Sequence, residues 1–129
     1  MSAYIDGFAF PISRDRIDEY KRVAGQVAKI YVEHGAIEYQ EYLGDDLKRE
    51  GTSAFPALLA AGEGETVVFG WISYDSRETR DLVNRKVEAD PRMADLVAPI
   101  MDLNNPVFEP KRMAFGGFES LFTLPTDSA

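Results

Sequence analysis

The stretch Glu65-Thr66-Val67-Val68-Phe69-Gly70-Trp71-Ile72-Ser73-Tyr74 decides the fold. It is dense in β-branched and aromatic residues and apolar at both parities, the pattern of a central strand covered on both faces. Covering both faces takes helices on one side and a further layer on the other. The sequence supplies helices for only one side, so the second layer is expected from another copy of the chain.

Working outward, Tyr4 to Pro11 reads as a first strand that stops where proline cannot extend a ladder. Tyr4, Asp6, Phe8 and Phe10 share one parity; Ile5, Gly7 and Ala9 share the other. Small residues let helices approach closely. The small face is therefore assigned to the helices, and the aromatic face to the second layer. Ser13 is placed to cap a helix over Asp15 to His34, with Ile17, Tyr20, Ala24, Val27 and Tyr31 on one stripe and Gly35 as its stop. Ile37 to Leu43 is a second, more polar strand of the kind found at a sheet edge.

After the central strand, Asp75 or Ser76 caps a helix running to Ala89, with Glu78 placed for a capping box. Asp90-Pro91 starts another over Arg92 to Val97. Arg112 to Phe118 is the fourth strand, in which Gly116-Gly117 suggests a bulge or a close backbone approach. The order strand, helix, two strands, helix, strand is a ferredoxin-like βαββαβ plan, an α+β fold with a four-stranded antiparallel sheet. The 129 residues fit one domain, with an irregular excursion at 44–64 and a C-terminal tail at 119–129.

Composition narrows the chemistry. Cysteine is absent and histidine occurs once, which removes disulfides, thiolate catalysis and any two-histidine metal site within one chain. Net charge is −8, and residues 1–64 and 65–129 each carry 11 acidic and 7 basic side chains. An evenly acidic surface repels phosphate backbones and anionic lipid, so neither nucleic acid nor membrane is expected as a partner. RNA-recognition domains share this strand order, but their third strand carries a basic residue and Gly before its aromatics, and Glu65 to Trp71 has no such base. No P-loop or dinucleotide fingerprint is present, and no cofactor is expected. Without a basic leader or an apolar run of spanning length, the chain reads as soluble and cytoplasmic.

Several stretches resemble the YbaA-like family of uncharacterised bacterial proteins: Tyr4-Ile5-Asp6-Gly7-Phe8, Glu33-His34-Gly35-Ala36, Gly44-Asp45-Asp46, Ser53-Ala54-Phe55-Pro56, Glu65 to Trp71, Asp90-Pro91-Arg92-Met93, and Lys111-Arg112-Met113 through Glu119. The chain departs from that pattern at Leu58 to Gly64 and at Glu109-Pro110. The resemblance implies a dimeric α/β barrel, in which two ferredoxin-like sheets face each other. It carries no activity with it.

Between such sheets, Tyr4, Asp6, Phe8, Phe69, Trp71, Met113 and Phe115 would form an aromatic wall for a small apolar or aromatic ligand; the bland alternative is plain dimer core. Asp6 is costly among aromatics unless paired, and Arg112 or a cation from a second chain is its expected partner. If unpaired, it becomes a candidate proton acceptor. His34 is the other acid–base candidate, although its place at a helix end before Gly35 fits a capping role. Glu41 is read as reaching either the same cavity as Asp6 or solvent. Three functions follow: a homodimeric binding module, a cofactor-independent monooxygenase- or isomerase-like enzyme using Asp6 or His34, or a purely structural dimer.

Overall fold

A computed structural model describes residues 3–102 and 104–124. Among them, strands β1 (Tyr4–Ser13), β2 (Glu38–Leu43), β3 (Glu65–Tyr74) and β4 (Ala114–Glu119) form one antiparallel sheet in the order β2-β3-β1-β4. Helices α1 (Ile17–Glu33) and α3 (Arg77–Glu88) supply the crossovers of the βαββαβ plan. A single turn, α2 (Phe55–Leu58), interrupts the excursion between β2 and β3, and α4 (Pro91–Val97) follows α3. The tail beyond Leu124 and the first two residues lie outside the described residues.

Local signals set most of the boundaries. Ser76 Oγ accepts the Thr79 amide at 3.1 Å and caps α3, so the reciprocal partner is Thr79 rather than Glu78. Asp90 accepts the Arg92 amide at 3.0 Å, and Pro91 opens α4. Gly35 ends α1 at φ 123°, a conformation L side chains rarely adopt. A 3-10 turn, Arg14–Arg16, precedes α1, so the helix proper starts later than Asp15.

On β1 the two faces are the reverse of the sequence reading, whereas on β3 Phe69 and Trp71 do look away from the helices. In the β1–β3 register Phe8 lies opposite Gly70 and Gly7 opposite Trp71. Phe8, Phe10 and Ile12 therefore share a face with Val68, Ile72 and Tyr74, and these residues, with Ile30, Val83 and Val87 from the helices, are the core. The helices bring mid-sized side chains; the aromatic residues of β1 fill the remaining depth at interior density. The face of Gly7 and Ala9 looks away from the helices. Its bulk comes from neighbouring strands: Phe69 and Trp71 on β3, Tyr42 on β2 and Phe118 on β4. The excursion covers one end of this outer face, with the Phe55 ring 5.8 Å from Phe69 and Val67 buried there.

The fourth strand begins at Ala114, not at Arg112. Pro110–Arg112 form a 3-10 turn from which the Arg112 guanidinium reaches both Glu65 carboxylate oxygens, at 2.6 and 3.0 Å, and the Ala60 carbonyl at 2.7 Å. Pairing of β4 with β1 runs unbroken from Tyr4↔Glu119 to Ala9↔Ala114, so Gly116-Gly117 makes no bulge. Close approach is the reason for Gly117, since a side chain there would meet the Tyr4 hydroxyl and the Arg80 guanidinium.

Candidate functional site

The seven residues expected to line one wall fall on two sides of the sheet. Tyr4, Asp6, Phe8 and Phe115 point to the helices, with Phe8 stacked on Phe115 at 6.1 Å, and Met113 packs against the core just before β4. Phe69 and Trp71 lie on the outer face, where Trp71 stacks on Tyr42 at 5.5 Å. Period-two alternation keeps the two groups apart by the thickness of the sheet.

Asp6 is fully buried, and its partner is Arg80 of α3 rather than Arg112. Arg80 Nη1 donates to Asp6 Oδ1 at 2.6 Å, Arg80 Nε donates to Asp81 at 2.8 Å, and the guanidinium lies 4.9 Å from the Tyr4 ring centre. Asp6 Oδ2 has no partner among the described residues. Burial, and then the Asp6 charge, push the Tyr31 and Tyr74 phenols up, so both remain neutral around the ion pair.

His34 follows the last turn of α1 and places Nε2 2.9 Å from Asp90 Oδ2. Asp90 also caps α4 and binds Arg92, which reaches Glu33 at 2.8 Å. Arg92 first, and His34 second, hold the Asp90 carboxyl far below the usual carboxylate range. The cluster ties the end of α1 to the start of α4. It shares no ion-pair partner with Asp6.

A different carboxylate faces open space. Between α1 and the edge strand β2 runs a groove of about 450 Å³, walled by Ile17, Ala24, Gly25 and Ala28 on the helix and by Leu43 and Val68 on the sheet. Glu41 lines this groove. Tyr20 Oη from α1 lies 2.6 Å from Glu41 Oε2 and 2.9 Å from Oε1, one hydroxyl shared by the two oxygens. No cation lies within ion-pair distance of Glu41 among the described residues. Burial raises its pKa, against the Tyr20 hydrogen bond that favours the charged form. Both phenols are themselves pushed up, by burial first and Glu41 second.

The space for Glu41 comes from Gly70, which faces it across the β2–β3 ladder; a side chain there would meet the Gln40 carbonyl, the Phe8 ring and the Glu41 chain. Glu41 and Asp6 do point to the same face of the sheet, but β3 separates their strands. Tyr20, read from sequence only as part of a buried stripe, is the functional group that reading missed. Its only local signal is a phenol hydroxyl about one turn before the mid-helix Gly25. No group of three or more His, Asp or Glu side chains is placed to hold a metal ion among the described residues.

The sequence pattern of DUF1428, described as a protein family of unknown function, matches residues 3–103, from β1 through α4. The chain belongs to the DUF1428 family. The uncharacterised protein YbaA of Escherichia coli K12 is 36% identical over 118 residues, covering 92% of this chain and 96% of its own, and YbaA of Shigella flexneri gives the same figures. Two solved structures share the fold of this DUF1428 member. A NIPSNAP family protein of unknown function from Agrobacterium tumefaciens superposes with a TM-score of 0.57 at 13% identity, covering 92% of this chain and 88% of its own. An uncharacterised NIPSNAP domain protein from Burkholderia xenovorans gives 0.56 at 11%, covering 95% and 99%. No helix among the described residues is long and apolar enough to cross a membrane.

Proposed function

We propose that this protein binds a small molecule in the groove between α1 and β2, and that it works as a homodimer joined through the outer faces of two sheets. One observation carries the binding reading: a sheltered carboxylate, held by a tyrosine and without a paired cation among the described residues, lies in an apolar groove of about 450 Å³. Volumes of 300–1,000 Å³ with few polar groups are typical of small-molecule sites. The ligand space thus lies within one subunit, under α1.

Dimerisation rests on the outer face. Tyr42, Phe69 and Phe118 are 56%, 45% and 58% exposed there, beside Trp71, on a protein with net charge −8. Contiguous aromatic surface of this kind marks an interface.

Gly25 provides the test of the binding reading. It lines the groove, and nothing lies within 4 Å of the position its Cβ would take. Gly25→Phe should fill the groove without strain. In a fragment screen followed by amide chemical shifts, binders should perturb Gly25, Ala28 and Glu41, and Gly25→Phe should abolish those shifts. Binders that leave these amides unmoved, or that bind the blocked variant equally well, would overturn the reading.

A further inference from the structure

We infer that the groove's ligand is a small organic amine bound in its protonated form, with its ammonium on Glu41 and its apolar body along α1. This rests on the groove being the ligand site and goes on to name the ligand's chemistry.

The chain's own habits set Glu41 apart. Its other sheltered carboxylates each hold a guanidinium: Asp6 binds Arg80 at 2.6 Å, Glu65 binds Arg112 at 2.6 Å, and Asp90 binds Arg92 at 2.7 Å. Among the described residues, Glu41 has only the Tyr20 hydroxyl. An ionised carboxylate offers about four lone-pair sites, so acceptor capacity is left over toward the groove. A sheltered charge lacking a counter-charge is the group a cationic ligand relieves most.

The surroundings select which cation. Tyr20 and Tyr39 flank the carboxylate with aromatic rings, and their raised pKa values keep them neutral donors rather than competing anions. Aromatic side chains beside a carboxylate suit an ammonium carried on carbon. A hard metal ion takes six or more oxygen ligands, and among the described residues the groove's carboxylates are Glu41 and Asp18. The walls of Ile17, Ala24, Ala28 and Val68 offer it nothing further. The chain's net charge of −8 raises the local concentration of cations and lowers that of anions.

The test is calorimetric titration at neutral pH with three matched probes: phenethylamine, phenethyl alcohol and hydrocinnamate. The amine should bind about tenfold or more tightly than the alcohol, equivalent to about 1.4 kcal/mol, and the acid more weakly than either. Glu41→Gln should erase the preference while leaving the alcohol's affinity in place. Retained affinity for the alcohol, with an unchanged circular dichroism spectrum, guards against a folding artefact in Glu41→Gln. Gly25→Phe should remove all binding. Equal affinities for amine and alcohol, a preference surviving Glu41→Gln, or no uptake of the amine would each sink the amine assignment. Binding that survives Gly25→Phe would instead sink the groove itself.

Discussion

Arg80 Nη1 lies 2.6 Å from Asp6 Oδ1 with the carboxylate sealed from solvent, and the second oxygen, Oδ2, has no partner among the described residues. Breaking such a pair strands a charge, whereas replacing both members with apolar groups does not. Arg80→Met should cost about 3–5 kcal/mol in urea unfolding, and Asp6→Leu with Arg80→Met should recover most of that loss. A double variant as unstable as the single one would show that the pair contributes more than mutual neutralisation.

Gly25 occupies the interior of α1 with open space around its missing side chain. Glycine there costs the helix about 0.5–1 kcal/mol relative to alanine, and no packing demand in the described structure explains it. Gly25→Ala should raise thermal stability by that amount and weaken ligand uptake. A destabilised Gly25→Ala would mean that a neighbour fills the space in the assembled protein.

For Glu41 the sign of the pH dependence is fixed by the direction of its shift. Its folded pKa is raised by burial, so its contribution to stability is fully present below the unfolded carboxyl pKa and is lost as pH rises through the folded value. The groups around it, Tyr20 and Tyr39, stay neutral across that window. Glu41→Gln should therefore raise the melting temperature by a few degrees at neutral pH, with the gain vanishing in mild acid. A gain that persists unchanged in acid would place its origin elsewhere.

Gly70 has no room for a methyl group. Its Cβ would press on the Gln40 carbonyl, come within 2.9 Å of the Phe8 ring and reach 3.0 Å from Glu41 Cγ. Gly70→Ala should destabilise by about 1–3 kcal/mol, and the displaced Glu41 should also weaken binding. Denaturant titration and calorimetry on one preparation would read both effects.

Assembly is tested on the outer face. In sedimentation equilibrium at low micromolar concentration the native chain should be dimeric, and Phe69→Asp should be monomeric with unchanged circular dichroism. A native chain that sediments as a monomer would remove the interface and leave the groove untouched.

The elements were legible because their signals are local. Ser76, Asp90-Pro91 and Gly35 mark ends by chemistry within three or four residues, and the strand from Glu65 to Tyr74 announces itself by composition. The faces of β1 were not legible, because bulk alternates between strands: Phe8 lies opposite Gly70 on one side, and Trp71 opposite Gly7 on the other. Only the register, a pairing between residues some sixty positions apart, decides which large residues belong together. The same non-locality hid Arg80 as the partner of Asp6, 74 residues away, and Tyr20 as the partner of Glu41. Glu41 itself is singled out in the sequence, as reaching either the cavity of Asp6 or solvent; it shares the face of Asp6, with β3 between their strands.

Glu41 and Tyr42 are adjacent in the chain, yet one looks under α1 and the other away from the helices. A single-codon insertion or deletion inside the six residues of β2 would exchange them, turning the carboxylate outward and the ring inward. The excursion after Leu43 is where changes of length can accumulate, because no strand pairing there depends on the count. Within this lineage, length variation should therefore gather between Asp45 and Gly64, and the spacing from Glu38 to Leu43 should be inherited as a fixed block.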